Sequence, residues 1–162
     1  MIKKNFWSFF LIIIFFIIDR LSKIAIISFF EKYGDNDIFL TDFLSLSLIW
    51  NDGIAFGLFS FDQKVYYNLV TVLIAFITLI IFWMIFRTKS YEKLAFTMVL
   101  GGSLGNIFDR IYYSSVPDFI DIHFKNFHWF IFNVADIFIT VGVISMIIFE
   151  ILSNNNQQNE SY

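Results

Sequence analysis

Residues 66–86 read YYNLVTVLIAFITLIIFWMIF, without a single charged side chain. A helix needs about 20 mainly apolar residues to cross the hydrocarbon core of a bilayer. This run meets that requirement, and it defines a membrane-spanning helix around which the rest of the chain can be laid out. Upstream, Phe6–Ile18 is almost unbroken apolar sequence and the pattern continues through Ile24–Phe30. Lys3 and Lys4 precede it, as in a cleaved signal peptide, but no small-x-small cleavage site follows and Asp19-Arg20 stands in its place. The first span is therefore read as uncleaved, over roughly 6–27. Downstream, shorter apolar runs define a third span over 94–109 and a fourth over 129–152, which holds Asp136 and, near its end, Glu150. The polar tail 154–162 is expected to be disordered. All 162 residues form one domain.

Composition agrees. The chain is 58% hydrophobic and only 15% charged, more apolar surface than a soluble domain of this size can hide. A net charge of -3 gives no reason to propose a nucleic-acid partner. There is no cysteine, which excludes disulfides, thiolate catalysis and cysteine metal sites.

Between the first two spans lies a polar insert, 31–65. Within it Leu44-Ser45-Leu46-Ser47-Leu48 alternates with period two, the pattern of a strand with one apolar face, and Asn51-Asp52-Gly53 signals a turn. Phe119–Phe124, after Pro117, alternates too and is a candidate second strand. The fold class is thus an all-α integral membrane protein of four transmembrane helices, with a small extracytoplasmic β-structured insert between helices 1 and 2.

Counting helix direction places the polar groups. Asp19 falls at the end of helix 1. Asn106, Asp109 and Arg110 fall at the end of helix 3. Asp118 and Asp121 lie in the 3–4 connection, Asn133 and Asp136 near the start of helix 4, and Asn51 in the insert. All of them lie on one side of the membrane. The other side carries Lys3, Lys4, Arg87, Lys89 and Lys93 in two short segments, a basic density that favours cytoplasmic termini. The polar cluster then faces outward.

An ionisable group inside a span costs at least about 2.5–3.5 kcal/mol on insertion scales, so it needs a reason. Asp136 has Asn133 three residues earlier on the same helical face; a plain helix-to-helix hydrogen bond is the structural alternative to chemistry. Asn106, Asp109 and Arg110 also share a face, and an Asp109–Arg110 pair at a helix end is the simplest reading of the last two. Asp19 and Lys23, spaced i, i+4, can neutralise one another. The small residues from Gly101 to Gly105 allow close helix packing. His123 and His128 lack a supporting motif and are read as surface or interfacial side chains; no metal and no cofactor is expected. HExxH and GxSxG are absent, and the adjacent Ser22 and Lys23 cannot face each other on a helix. The surplus is in carboxylates. Two of them sharing one proton, such as Asp118 and Asp136, can activate a water and protonate a leaving amine.

Five segments in order then carry a resemblance: Asp19-Arg20-Leu21-Ser22-Lys23, Asn51–Gly57, Gly101–Arg110, Val116–Asp121 and Phe132–Asp136. Together they closely resemble the lipoprotein signal peptidase family, or signal peptidase II, over nearly the whole chain. The resemblance implies that Asp118 and Asp136 are a catalytic dyad. It implies that Asn51, Asn106, Arg110 and Asn133 line the site, that Ala135 is a small residue beside it, and that Asp19 and Asp109 support it. Arg20 and Pro117 occupy positions that vary. It further implies cleavage of diacylglyceryl-modified prolipoproteins just before the lipidated cysteine, by a monomer in contact with membrane lipids in the bacterial inner membrane. The rival readings are an ion pathway, for which helix 2 offers only Asn68, Thr71 and Thr78, and a non-catalytic assembly subunit that uses the polar patch as glue.

Overall fold

The computed structural model describes residues 2–52, 63–88, 92–125 and 127–159. Four helices and four strands follow in the order α1 (Ile2–Tyr33), β1 (Ile38–Thr41), β2 (Leu44–Asn51), α2 (Gln63–Arg87), α3 (Glu92–Tyr112), β3 (Val116–Phe124), β4 (Phe127–Phe132) and α4 (Val134–Asn159). Of these, α2 over Val65–Arg87 and α4 over Val134–Leu152 are long and apolar enough to cross a membrane. In α1 the apolar run is interrupted by Asp19, Arg20 and Lys23, and in α3 by Lys93, Asp109 and Arg110.

The surface is inverted relative to a water-soluble bundle. Leu69, Val72, Phe76, Leu79 and Trp83 of α2 are all more than half exposed. A contiguous apolar exterior of this size needs a partner other than water. The interior is where the polar groups sit: Asp19, Lys23, Asp109, Asp121 and Asn133 are fully buried.

Helix α3 is central and packs on α1, α2 and α4. Its small residues permit this. A Cβ added at Gly102 would lie 2.5 Å from the carbonyl oxygen of Ala135 in α4, and one added at Gly105 would overlap the carboxylate of Asp19 in α1. The close-packing reading of Gly101–Gly105 therefore describes the helix junction. Away from the sheet, Ile12, Ile85, Phe96 and Leu100 draw α1, α2 and α3 into one apolar cluster. Lys93 Nζ donates to Asn5 Oδ1 at 2.6 Å and ties the starts of α3 and α1 together.

At the other end stands one antiparallel sheet, in the order β1-β2-β3-β4. It rests on α1, where Ile26 and Phe30 pack against Phe119 of β3. Four expectations are corrected. The β-structure extends beyond the insert between helices 1 and 2: β3 contains the candidate strand Phe119–Phe124, and β4 joins it from the same α3–α4 connection. Residues 129–132 are strand rather than the start of a fourth span; the alternation of Phe130 and Phe132 is completed by pairing with β3, Ile122↔Phe130 and Ile120↔Phe132. Helix α1 does not end near 27. It continues to Tyr33 because Ile26 and Phe30 find a partner in the sheet, so Asp19 lies mid-helix, about 21 Å below its end at about 1.5 Å per residue. Finally, 154–159 continue α4 instead of forming a disordered tail, since extending an existing helix costs far less than nucleating one. The turn signal at Asn51-Asp52-Gly53 runs into Gly53, which lies outside the described residues.

Gly102→Ala is expected to cost about 1–3 kcal/mol, because the new methyl meets backbone that cannot swing aside. A melt of the detergent-solubilised protein that matches wild type would contradict this account of the α3–α4 junction.

Candidate active site

The site is built on a buried charge network. Lys23 Nζ donates to Asp19 Oδ2 at 3.0 Å, to Asp109 Oδ2 at 2.6 Å and to Asn106 Oδ1 at 2.8 Å. All three donors of one ammonium are thus used, and its side chain is wholly buried. Arg20 supplies the second cation, bonding Asp109 Oδ1 and lying 4.8 Å over the ring of Phe108. In this network two carboxylates face two cations. The expected Asp109–Arg110 pair does not form. Neighbouring residues on a helix point about 100° apart, and Asp109 turns inward to α1 while Arg110 turns to α2. There the Arg110 guanidinium sits 5.2 Å over the ring of Tyr67, with its Nε and one terminal nitrogen buried and unbonded among the described residues.

Two relays lead from this network to the front of the site. Asn106 accepts from Lys23 and donates its Nδ2 to Asp136 Oδ1 at 2.9 Å. Asp19 Oδ1 accepts the backbone N–H of Ala135 at 3.0 Å and so fixes the first turn of α4. Ala135 is small and fully buried because Gly102 packs against its carbonyl.

Asp136 is not a mid-span charge. Asn133 is the N-cap of α4: its Oδ1 accepts the Asp136 N–H at 3.2 Å, and the Asp136 carboxylate accepts the Asn133 N–H at 3.1 Å. This reciprocal arrangement is a capping box, with Asn and Asp in the roles usually taken by Ser and Glu. It places a carboxylate at the positive end of a helix dipole, where it is favoured.

Asp118 comes from the opposite side, on β3. Asn133 Nδ2 donates to its Oδ1 at 2.6 Å, and Asn51 Nδ2, from the end of β2, donates to its Oδ2 at 2.9 Å. The strand register delivers these partners, since Ile49 pairs with Asp118 and Asn51 with Val116. Asn133 thereby touches both carboxylates at once. Burial pushes the Asp118 carboxyl up to about 6; the two Asn donors pull it down, and the charge of Asp136 raises it further. Beside Asp136 an apolar cavity of about 300 Å³ opens between Phe130, Phe132, Ile137, Thr140 and Val141.

The structure thus joins Asn51, Asn106, Asn133, Asp118 and Asp136 through direct hydrogen bonds, with Asp19, Asp109 and Ala135 one step behind. Arg110 stands apart on the α2 side. Sequence reasoning underrated Lys23, taken only as a neutralising partner of Asp19, and Arg20. The available signal was a lysine and an arginine in the middle of an apolar helix, which needs more than one buried partner. Thr71 and Thr78 bond the carbonyls of Tyr67 and Ile74 one turn back, so α2 offers no hydroxyl ladder for an ion.

A family model for signal peptidase (SPase) II matches residues 11–152. The lipoprotein signal peptidase of Pelagibacter ubique (strain HTCC1062) is 49% identical over 158 residues, which is 97% of this chain and 95% of that protein. The lipoprotein signal peptidase of Wigglesworthia glossinidia brevipalpis is 40% identical over 142 residues, 85% of this chain and 89% of that one. A bacterial membrane enzyme solved by the in meso method at 1.9 Å superposes with a TM-score of 0.70 at 25% identity, covering 90% of this chain and 92% of its own. The polar interior and apolar exterior are those of a membrane-embedded protein. The chain belongs to the signal peptidase II family.

Lys23→Met is expected to destabilise the protein by about 3–5 kcal/mol, the usual cost of removing one partner from a buried ion pair. Asp19 and Asp109 would be left as buried carboxylates with Arg20 alone. Unchanged thermal stability would show that the network carries no such weight.

Proposed function

We propose that this chain is an intramembrane aspartic endopeptidase that removes the signal peptide from diacylglyceryl-modified prolipoproteins, cutting just before the lipidated cysteine, with Asp118 and Asp136 as the catalytic pair. The observation that carries the reading is Asn133 bonded to both carboxylates, with Asp118 held near 6. An aspartic mechanism needs one proton shared by two carboxyls near neutral pH. Burial of Asp118 and repulsion from Asp136 supply that condition.

In the reaction, the ionised member takes a proton from a water while that water attacks the scissile carbonyl. The protonated member gives its proton to the carbonyl oxygen. Collapse of the tetrahedral gem-diol breaks the C–N bond: the proton first taken from water passes to the leaving amine of the cysteine, and one hydroxyl returns its proton to the other aspartate, which leaves the new carboxyl group and a singly protonated pair. Asn51 and Asn133 keep the Asp118 carboxylate aimed, and Asn106 does the same for Asp136. The apolar cavity beside Asp136 accepts the apolar part of the substrate. Arg110, with unbonded guanidinium nitrogens, is placed to hold a substrate oxygen. Helices α1–α4 all span the inner membrane, both termini are cytoplasmic, the sheet lies on the outer surface and the protein acts as a monomer.

Asp118→Asn and Asp136→Asn keep the side-chain shape but cannot accept and return a proton. Each should lower turnover of a diacylglyceryl-modified peptide by at least about 10²–10⁴-fold, with the protein still folded and still binding substrate. Near-normal turnover in either would sink the mechanism. The two stabilities carry a further sign. A carboxyl raised from 3.8 to about 6 binds its proton more tightly folded than unfolded. Its contribution is fully present below about 3.8 and is lost as pH rises through about 6. Asp118→Asn should therefore flatten the fall in stability across that window; a slope unchanged from wild type would assign the titration elsewhere.

The orientation rests on Lys3, Lys4, Arg87, Lys89 and Lys93 in short segments. Reporters fused to either terminus should be active only in the cytoplasm, and activity on the outer side would reverse the topology.

A further inference from the structure

Three side chains of the sheet take no part in the proposed reaction, yet they converge. Asp121 and His123 of β3 lie two residues apart and share a face of the strand. His123 is the cross-strand partner of His128 on β4, and Asp121 is the partner of Ser45 on β2. One ligand atom from each of Asp121, His123 and His128 falls within 4.8 Å of the others.

Asp121 is the informative member. It is fully buried, as is Ser45, and His123 is nearly so. Its Oδ2 accepts from Ser45 Oγ at 3.1 Å and lies 2.6 Å from His128 Nδ1 and 3.7 Å from His123 Nδ1. Its Oδ1 is buried with no hydrogen-bond partner among the described residues. A buried carboxylate oxygen left unpaired costs about 1–3 kcal/mol or more, so an intact site should give it something to bind. The Asp121–His128 hydrogen bond alone leaves that oxygen idle and gives His123 no strong partner, since its ring nitrogen reaches only Ser45 Oγ at 3.4 Å.

A divalent cation gripped by both oxygens of the Asp121 carboxylate and by the two imidazoles would satisfy all three residues together, Oδ1 included. Tetrahedral zinc holds His nitrogen at about 2.0–2.1 Å and carboxylate oxygen at about 2.0–2.2 Å, which puts ligand atoms roughly 3.3–3.6 Å apart. The 2.6 and 3.7 Å separations straddle that value, and all three ligand atoms lie within 4.8 Å of one another, so the side chains would draw together around an ion. Two imidazoles and one carboxylate suit Zn²⁺ and its neighbours better than Ca²⁺ or Mg²⁺, which prefer all-oxygen sets. Ser45 would act behind the metal, orienting the carboxylate. Entry is open, because the His128 side chain is half-exposed.

We propose that Asp121, His123 and His128 form a divalent transition-metal site of the zinc type, with the fourth position open to water, that clamps the β3–β4 hairpin. The site is distinct from the Asp118–Asp136 pair and does not depend on the peptidase reading. By pinning β3 to β4, it would also stiffen the strand that carries Asp118 and the strand that leads into Asn133.

The test uses full-length protein in detergent, free of any polyhistidine tag and stripped with chelator. Zn²⁺ is titrated against a chromophoric competitor, and Co²⁺ is used as a spectroscopic substitute. Wild type should bind one equivalent, show the visible bands of tetrahedral Co²⁺, and melt at a higher temperature with metal. His128→Ala changes a half-exposed residue but removes a hydrogen bond to buried Asp121, so without metal it should stay folded by circular dichroism and melt somewhat lower than wild type. It should nevertheless weaken Zn²⁺ binding by more than the roughly 10–100-fold typical of a mere supporting residue, and lose both the Co²⁺ bands and the thermal shift. His123→Ala and Asp121→Asn should behave alike towards metal. Absence of saturable binding in wild type, or binding and spectra that persist in folded His128→Ala, would overturn the site.

Discussion

One buried ammonium organises this molecule. Lys23 projects from the middle of α1 into a space where no water can solvate it, and an isolated charge there would cost several kcal/mol even after relaxation. It is held only because three oxygens from three residues on two helices meet it: Asp19 of its own helix, and Asp109 and Asn106 of α3. Satisfying Lys23 therefore fixes the rotation and height of α1 against α3. The same carboxylate that neutralises it, Asp19, reaches the backbone of Ala135 and fixes where α4 begins. The requirement for close approach is visible in Gly102 and Gly105, where any side chain would collide with α4 or with Asp19 itself.

The front of the site inherits its order from this base. Asn106 transmits the position of Lys23 to Asp136, and Asn133 transmits the start of α4 to Asp118. Amides suit this work because each offers both a donor and an acceptor and carries no charge, so they orient carboxylates without neutralising them. The two aspartates also sit in unlike electrostatic settings. Asp136 lies in the first turn of α4, at the positive end of the helix dipole. Asp118 lies on a strand, where burial raises its pKa. Unlike environments for paired carboxyls are the condition for separating acid and base roles.

Much of this was legible from residues alone. The apolar run 66–86 pointed to a spanning helix, and helix parity brought Asn51, Asn106, Asp118, Asn133 and Asp136 to one end. The alternation at 44–48 and 119–124 marked strands β2 and β3. What escaped was set by tertiary partners. Residues 129–132 are as apolar as a helix interior, and only pairing with β3 makes them a strand. Asn133-x-x-Asp136 has the spacing of a helical face and also of a capping box, and the choice depends on where the helix starts. Asp109 had an arginine as its immediate neighbour in sequence, yet its partners Arg20 and Lys23 lie 89 and 86 residues away. His123 and His128 carry no motif, and their meeting with Asp121 follows from strand register alone.

The central claim is that Asp118 and Asp136 act on one and the same tetrahedral centre. It is tested most directly by an experimental structure of the protein with a lipopeptide analogue whose scissile amide is replaced by a hydroxyl-bearing tetrahedral isostere. The account places that hydroxyl within hydrogen-bond distance of both carboxylates, about 2.5–3.0 Å from each, with Asn51, Asn106 and Asn133 still bonded to them. A hydroxyl bound to one aspartate only, or seated away from both, would contradict it.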